Sequence, residues 1–191
     1  MKRELVRKLL WFTAAALLVL RCAPVQAAVG DPPSQPDLTD AAANVARRIR
    51  EVSQLVIWPA GSPRAGQAPQ FGVLGADPFS LAVTKALEEI AGSEPKREVV
   101  RSDKPADLAK CQVVFAYNPT QGRFDDLVAL TEGRPVVTIL FSKDRFAQGA
   151  MIELFETPSG LRYFINHPQF RRAKISPTPS LLEIALKGRP R

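Results

Sequence analysis

Histidine and cysteine are nearly missing from this chain: of 191 residues one is histidine, His167, and two are cysteine, Cys22 and Cys111. That scarcity removes most metal chemistry, because borderline ions need three or four His, Cys or carboxylate ligands brought together. The closest acidic pair, Asp125 and Asp126, is adjacent on a predicted helix and so points about 100° apart, which reads as exposed charge. Neither a metal nor a cofactor is expected. The chain also lacks a G-x-S-x-G elbow, a Gly-rich loop ending in Lys and Ser or Thr, and a G-x-G-x-x-G turn; its first strand runs into GVLGADPF instead. Hydrolysis at a serine elbow and nucleotide binding through those loops are thereby excluded. Long apolar runs are missing too, since the N-terminal one covers 12 residues, Leu9 to Leu20, against the roughly 20 that span a bilayer.

That short run is flanked by a basic start (Lys2, Arg3, Arg7, Lys8) and by the small-residue pattern Val25-Gln26-Ala27. Together they read as a secretory signal peptide over residues 1–27, cut after Ala27, with no membrane insertion afterwards. Arg21 stands before Cys22 where a lipoprotein signal wants a small residue, which argues against lipid attachment. The whole chain carries a formal charge of +7; the leader holds five basic residues and one acidic, which leaves 21 basic against 18 acidic, or +3. So small an excess makes no case for nucleic acid, which wants a clustered basic face. Cys111 is the one cysteine after Ala27, so the exported chain closes no internal disulfide and stability must come from packing. In CQVVFAY its expected role is that of a small buried hydrophobe.

Residues 28–37, AVGDPPSQPD, are proline-rich and poor in bulky apolar groups, a disordered lead-in to one domain over 38–191. Val45, Ile49, Val52 and Val56 then recur at helical spacing and predict a helix running to Ile57, stopped by Trp58-Pro59. After a loop, FGVLG reads as a strand, Asp77 as a helix cap with Pro78 in the first turn, and Phe79, Val83, Ala86, Leu87 and Ile90 as one buried stripe. Further strands are read at 97–100, 112–117 and 135–141, with a helical turn at 106–109 and a helix marked by Phe124, Leu127 and Val128. The unbroken apolar stretch from Pro135 to Phe141 predicts a strand covered on both faces. Lys143 to Gln148 reads as a short helix, and AMIELFE, TPSG, LRYFIN as an antiparallel hairpin. The alternation predicts a Rossmann-like α/β domain: a three-layer α/β/α sandwich with a mostly parallel sheet and an antiparallel C-terminal hairpin.

In such a sheet ligands bind beyond the carboxyl ends of the strands, which singles out Gly75, Asp77, Ser102, Asp103, Asn118, Ser142 and Lys143. Of these, Asp77, Asp103, Asn118 and Ser142 are the candidate ligand-binding crest; Asp77, Asp103 and Ser142 also stand where helix or turn caps are expected. His167 lies at a strand-to-helix junction, where a ring capping backbone groups is the commoner role, and has no nucleophile to activate. No catalytic residue is assigned. Arg171, Arg172 and Lys174 are read either as rim contacts for an acidic partner or as the wet face of a helix anchored by Phe170, and Trp58 and Phe155 as packing residues.

An ordered set of segments carries a resemblance: a helix ending in LVIWP, then FGVLGADPF, LAKCQVVFAY, GRPVVTIL, FAQGAMIELF, LRYFIN and KISPTPSLLEIAL. From about Ala43 to Leu186 the chain resembles the YfiR/HmsC-like periplasmic proteins. What the resemblance implies is a periplasmic α/β/α domain without known catalysis that represses an inner-membrane diguanylate cyclase by binding its periplasmic region, lowering cyclic di-GMP signalling and biofilm formation. It leaves a homodimer open. Family members commonly carry paired cysteines, one of them at the position of Cys111; Gly72 stands on the first strand where the mate would be sought, so redox sensing through that pair is not expected here. The glycine pair expected before AMIELFE reads Gly149-Ala150, and His167-Pro168-Gln169 replaces the usual small or aliphatic residues. The alternative function is a small-ligand binder using the strand-end crevice.

Overall fold

The computed structural model describes residues 35–62, 69–90, 99–142 and 149–185, all within the unit that spans 33–191, with side chains described from Leu38 onward. Helix α1 (Gln35–Gln54) opens the domain and begins ahead of the expected Leu38. Its stripe Ala42, Val45, Ala46, Ile49 and Val52 is at most 2% exposed, the periodicity that makes a helix bury one face. The helix does not run to Ile57. It ends at Gln54, and Val56–Ile57 is a short strand, β1, paired antiparallel with β8 (Ser176–Pro177), Val56 opposite Pro177 and Ile57 opposite Ser176. Two β-branched residues met by a distant partner strand leave the helix, although Val56 still reaches the core at 7% exposure.

The main sheet contains β2 (Phe71–Leu74), β3 (Val100–Ser102), β4 (Val113–Tyr117), β5 (Val137–Phe141), β6 (Ile152–Thr157) and β7 (Gly160–Ile165). Their spatial order is β3-β2-β4-β5-β6-β7, all parallel except the last pair, whose turn sets Thr157 opposite Gly160. The expected mixed sheet with a terminal hairpin is therefore the one found. Strand β3 starts later than the 97–100 expected, leaving Val99 as a buried residue just ahead of it; residues 97 and 98 lie outside the described set. Also outside it is the short helix expected over 143–148.

Parity along the strands assigns the two faces. Val113, Phe115, Val137, Ile139, Ile152 and Leu154 point into a larger core with α1 and α2 (Pro78–Ile90), while Val114, Ala116 and Leu140 point into a smaller one with α3 (Gln121–Thr131) and a 3-10 turn (Pro105–Leu108). Continuous apolar strands are what a sheet covered on both faces requires. Two arginines tie helix ends to the frame: Arg50 donates to the Ile90 carbonyl at the end of α2, and Arg134 donates to the Leu130 and Ala109 carbonyls. Each supplies donors to carbonyls that a helix terminus leaves without partners. Helix α4 (His167–Arg172) and α5 (Pro179–Ile184) close the domain, anchored by Phe170 and Leu181 at 1% and 0% exposure.

Candidate functional site

Chain order and spatial order part company between β2 and β4: from β2 the chain crosses to β3 on one side and then returns to β4 on the other. Loops leaving two such strands diverge, and a crevice opens beyond their carboxyl ends. One of about 280 Å³ lies there, walled by Gly75, Asp77, Asp103, Tyr117, Asn118, Thr120 and Arg123. Three of the four crest residues, Asp77, Asp103 and Asn118, thus come together. Ser142 does not join them; it is buried at the end of β5, one strand past the switch.

The Asp77 carboxylate caps α2 with both oxygens, accepting from the Ser80 N–H at 2.9 Å and the Ser80 hydroxyl at 2.6 Å. Gly75, at φ +139°, folds tightly against this cap: a Cβ there would stand 2.7 Å from both Asp77 Oδ2 and Ser80 Oγ. Only glycine fits. Asn118 turns the chain with φ +38° and donates its N–H to the Phe141 carbonyl at 3.1 Å, a left-handed position asparagine accepts better than most residues.

Asp103 does not cap the 3-10 turn as its position suggested. The Ser102 hydroxyl does the local bonding, accepting from the Lys104 N–H and donating to Asp107, while Asp103 faces Arg123 at 3.5 Å across the crevice. Both partners of that pair are nearly half exposed, so it adds little stability and leaves donors and acceptors to spare. Arg123 was missed by sequence reasoning; its signal would have been a lone cation in the first turn of α3, ahead of the buried Phe124. Behind the crevice Phe79, Tyr117 and Phe141 form an aromatic cluster with centroids 4.5 to 5.9 Å apart.

The histidine and the cysteine occupy different environments. His167 is exposed as the first residue of α4, with Asn166 at the N-cap position, so it does not take the expected capping role. Cys111 is 1% exposed in the smaller core, the small hydrophobe expected. Gly72 stands next to Cys111, where the missing mate was sought: a Cβ built on Gly72 would lie 3.0 Å from Cys111 Sγ.

Arg171, Arg172 and Lys174 are all exposed around Phe170, but Arg172 turns to a small cleft beside Glu132 and Gln169 while Lys174 sits beyond the helix end. Lys174 adopts φ +57°, and the next N–H, of Ile175, returns to the Phe170 carbonyl at 3.1 Å, the left-handed stop that ends many helices. Trp58 is half-buried against the larger core; Phe155 is half-buried and stacks on Phe164 at 4.7 Å. Gly149 holds φ +123° close to Val128, and Ala150 is fully buried.

Among solved structures, the chain is similar to an ABC domain from Streptococcus pneumonia in complex with L-Trp, at 13% identity and a TM-score of 0.51. The alignment covers 76% of this chain and 60% of that one, a likeness of fold alone. No curated protein matches the chain. Residues 42–186, which hold the sheet, the crevice and the basic residues after β7, match the family described as YfiR/HmsC-like, and the chain belongs to that family.

Proposed function

We propose that this protein is an exported, non-catalytic regulator that binds the periplasmic region of an inner-membrane diguanylate cyclase and holds it inactive, lowering cyclic di-GMP and biofilm formation. The observation that carries the reading is the YfiR/HmsC-like match over residues 42–186. Placement of the two most reactive side chains supports it, the imidazole being exposed and the thiol buried in an apolar core. Repression by binding is a population shift: the regulator favours the partner's inactive conformation by no more than its difference in affinity for the two states. Deleting the gene is expected to raise cellular cyclic di-GMP, and re-expression from residue 1 to lower it again. Unchanged cyclic di-GMP in both strains refutes the reading.

A second reading is favoured by the crevice itself, which gathers Asp103, Asn118 and Arg123 at the switch point of the sheet: a small ligand bound there would act as an input to the regulator. A ligand that binds only the folded state raises the melting temperature. A thermal-shift screen of periplasmic metabolites that moves the wild type and not Arg123→Ala supports this use; a flat screen refutes it.

A further inference from the structure

We propose that the outer face of the β1–β8 ribbon, with Ile57 at its centre and Lys174 and Arg171 beside it, is the docking surface for an acidic, apolar-tipped segment of a partner protein. The inference rests on the reading of the chain as a regulator that works by binding, and adds the surface and the partner chemistry. Ile57 is the most exposed large apolar side chain among the described residues, at 56%. It is not a frayed end. Its strand is paired, and the Leu55 carbonyl accepts from the Thr178 N–H at 3.0 Å, which extends the same ladder by one residue.

Residues directly opposite in an antiparallel pair project to the same face, and the next pair projects to the other. Val56 and Pro177 therefore face inward, Val56 being 7% exposed, while Ile57 and Ser176 share the outer face. Lys174 is two residues before Ser176, hence within about 7.6 Å of it along the chain, and it is exposed. Arg171 is joined to it, its carbonyl accepting the Lys174 N–H at 3.1 Å. A rigid β-branched centre beside two cations makes an apolar anchor point with a positively charged rim. That charge selects an acidic partner and speeds its approach, while the desolvated centre governs how long it stays.

The test uses the mature chain and the immobilised periplasmic region of a membrane diguanylate cyclase from the same organism. Ile57→Asp is expected to weaken binding at least tenfold, mainly through faster dissociation, and Lys174→Glu to slow association and flatten its dependence on salt. Leu81→Asp, at a 40% exposed apolar position on α2, serves as the control and is expected to bind as the wild type does. Matched melting temperatures show that all variants fold. Wild-type binding that survives both Ile57→Asp and Lys174→Glu overturns the docking surface and leaves the regulator standing, whereas a wild type that binds no cyclase region overturns both. Should Ile57→Asp instead dissociate a dimer of this chain, by sedimentation, with cyclase binding intact, the face belongs to a second copy and the proposal fails.

Discussion

A cysteine placed at position 72 is expected to close a disulfide with Cys111. The Cβ of residue 72 would stand 3.0 Å from Cys111 Sγ and 3.2 Å from Cys111 Cβ. An S–S bond of about 2.04 Å and a Cβ–S bond of about 1.8 Å at a near-tetrahedral angle put one Cβ about 3.0 Å from the far sulfur, which the first distance meets. The second is below the usual Cβ–Cβ range of about 3.5–4.5 Å, so the strand and the turn after Leu108 must part by a few tenths of an ångström. Residues 72 to 111 enclose 40 residues, and chain-entropy arithmetic gives about 4 kcal/mol for a loop of that length. Strain reduces it, to roughly 2–3 kcal/mol.

For a domain of this size each kcal/mol moves Tm by about 2–4 °C, so oxidised Gly72→Cys should melt roughly 5–10 °C above its own reduced form. The reduced variant should fall below the wild type, since two thiols and Leu108, whose Cδ2 would be 3.3 Å from the new Cβ, share one small space. Thiol titration in denaturant counts the bond, and melts with and without reductant weigh it. Two titratable thiols after oxidation, or an oxidised form no more stable than the reduced one, refutes the geometry from which the argument starts. Gly72→Cys with Cys111→Ser separates crowding from cross-linking.

Four further substitutions test the same packing. Tyr163 is 2% exposed and its hydroxyl has no hydrogen-bond partner among the described residues; Tyr163→Phe should therefore stabilise by about 1 kcal/mol in urea unfolding. Burial first, and the Glu51 carboxylate second, push that phenol up to about 12 from 10.0. Between those values the unfolded chain releases the proton and the folded one keeps it, so the wild type should lose about 1.4 kcal/mol per pH unit that Tyr163→Phe does not lose. Asp77→Ala removes both bonds to Ser80 and should cost about 1–2 kcal/mol by the same assay. Gly75→Ala sets a methyl 2.7 Å from the cap, and should cost about 1–3 kcal/mol and disturb the crevice wall. Lys174→Gly relieves a left-handed lysine and should raise stability by about 0.5–1 kcal/mol.

Why some of these features were legible and others were not comes down to range. Helix α2 could be read whole because its cap, its proline and its stripe lie within 14 residues of one another. The end of α1 could not, because Val56 fits the helical stripe by spacing and is drawn away by a strand about 120 residues downstream. Strand ends could be named, yet which of them share a crevice depends on sheet order: Asp77, Asp103 and Asn118 meet at the switch point, Ser142 lies one strand beyond it, and Arg123 enters only because α3 starts there. Asp77 shows that cap and crest are compatible descriptions of one residue, since it lines the wall while both its oxygens are committed to Ser80. Ligand recognition there would accordingly fall to Arg123, Asp103 and Asn118.

Outward faces pose the harder problem. Periodicity separates buried from exposed positions, but a solvated face and a docking face carry the same pattern. Ile57 illustrates the point: as the next residue of a helix it would be one more surface side chain, and as the paired neighbour of Ser176 it becomes an apolar point fixed on the outer face of the ribbon. Which residues share an outer face is thus decided by which distant segments are paired, and the β1–β8 ribbon, two residues on each strand, sets Ile57 and Ser176 on one face.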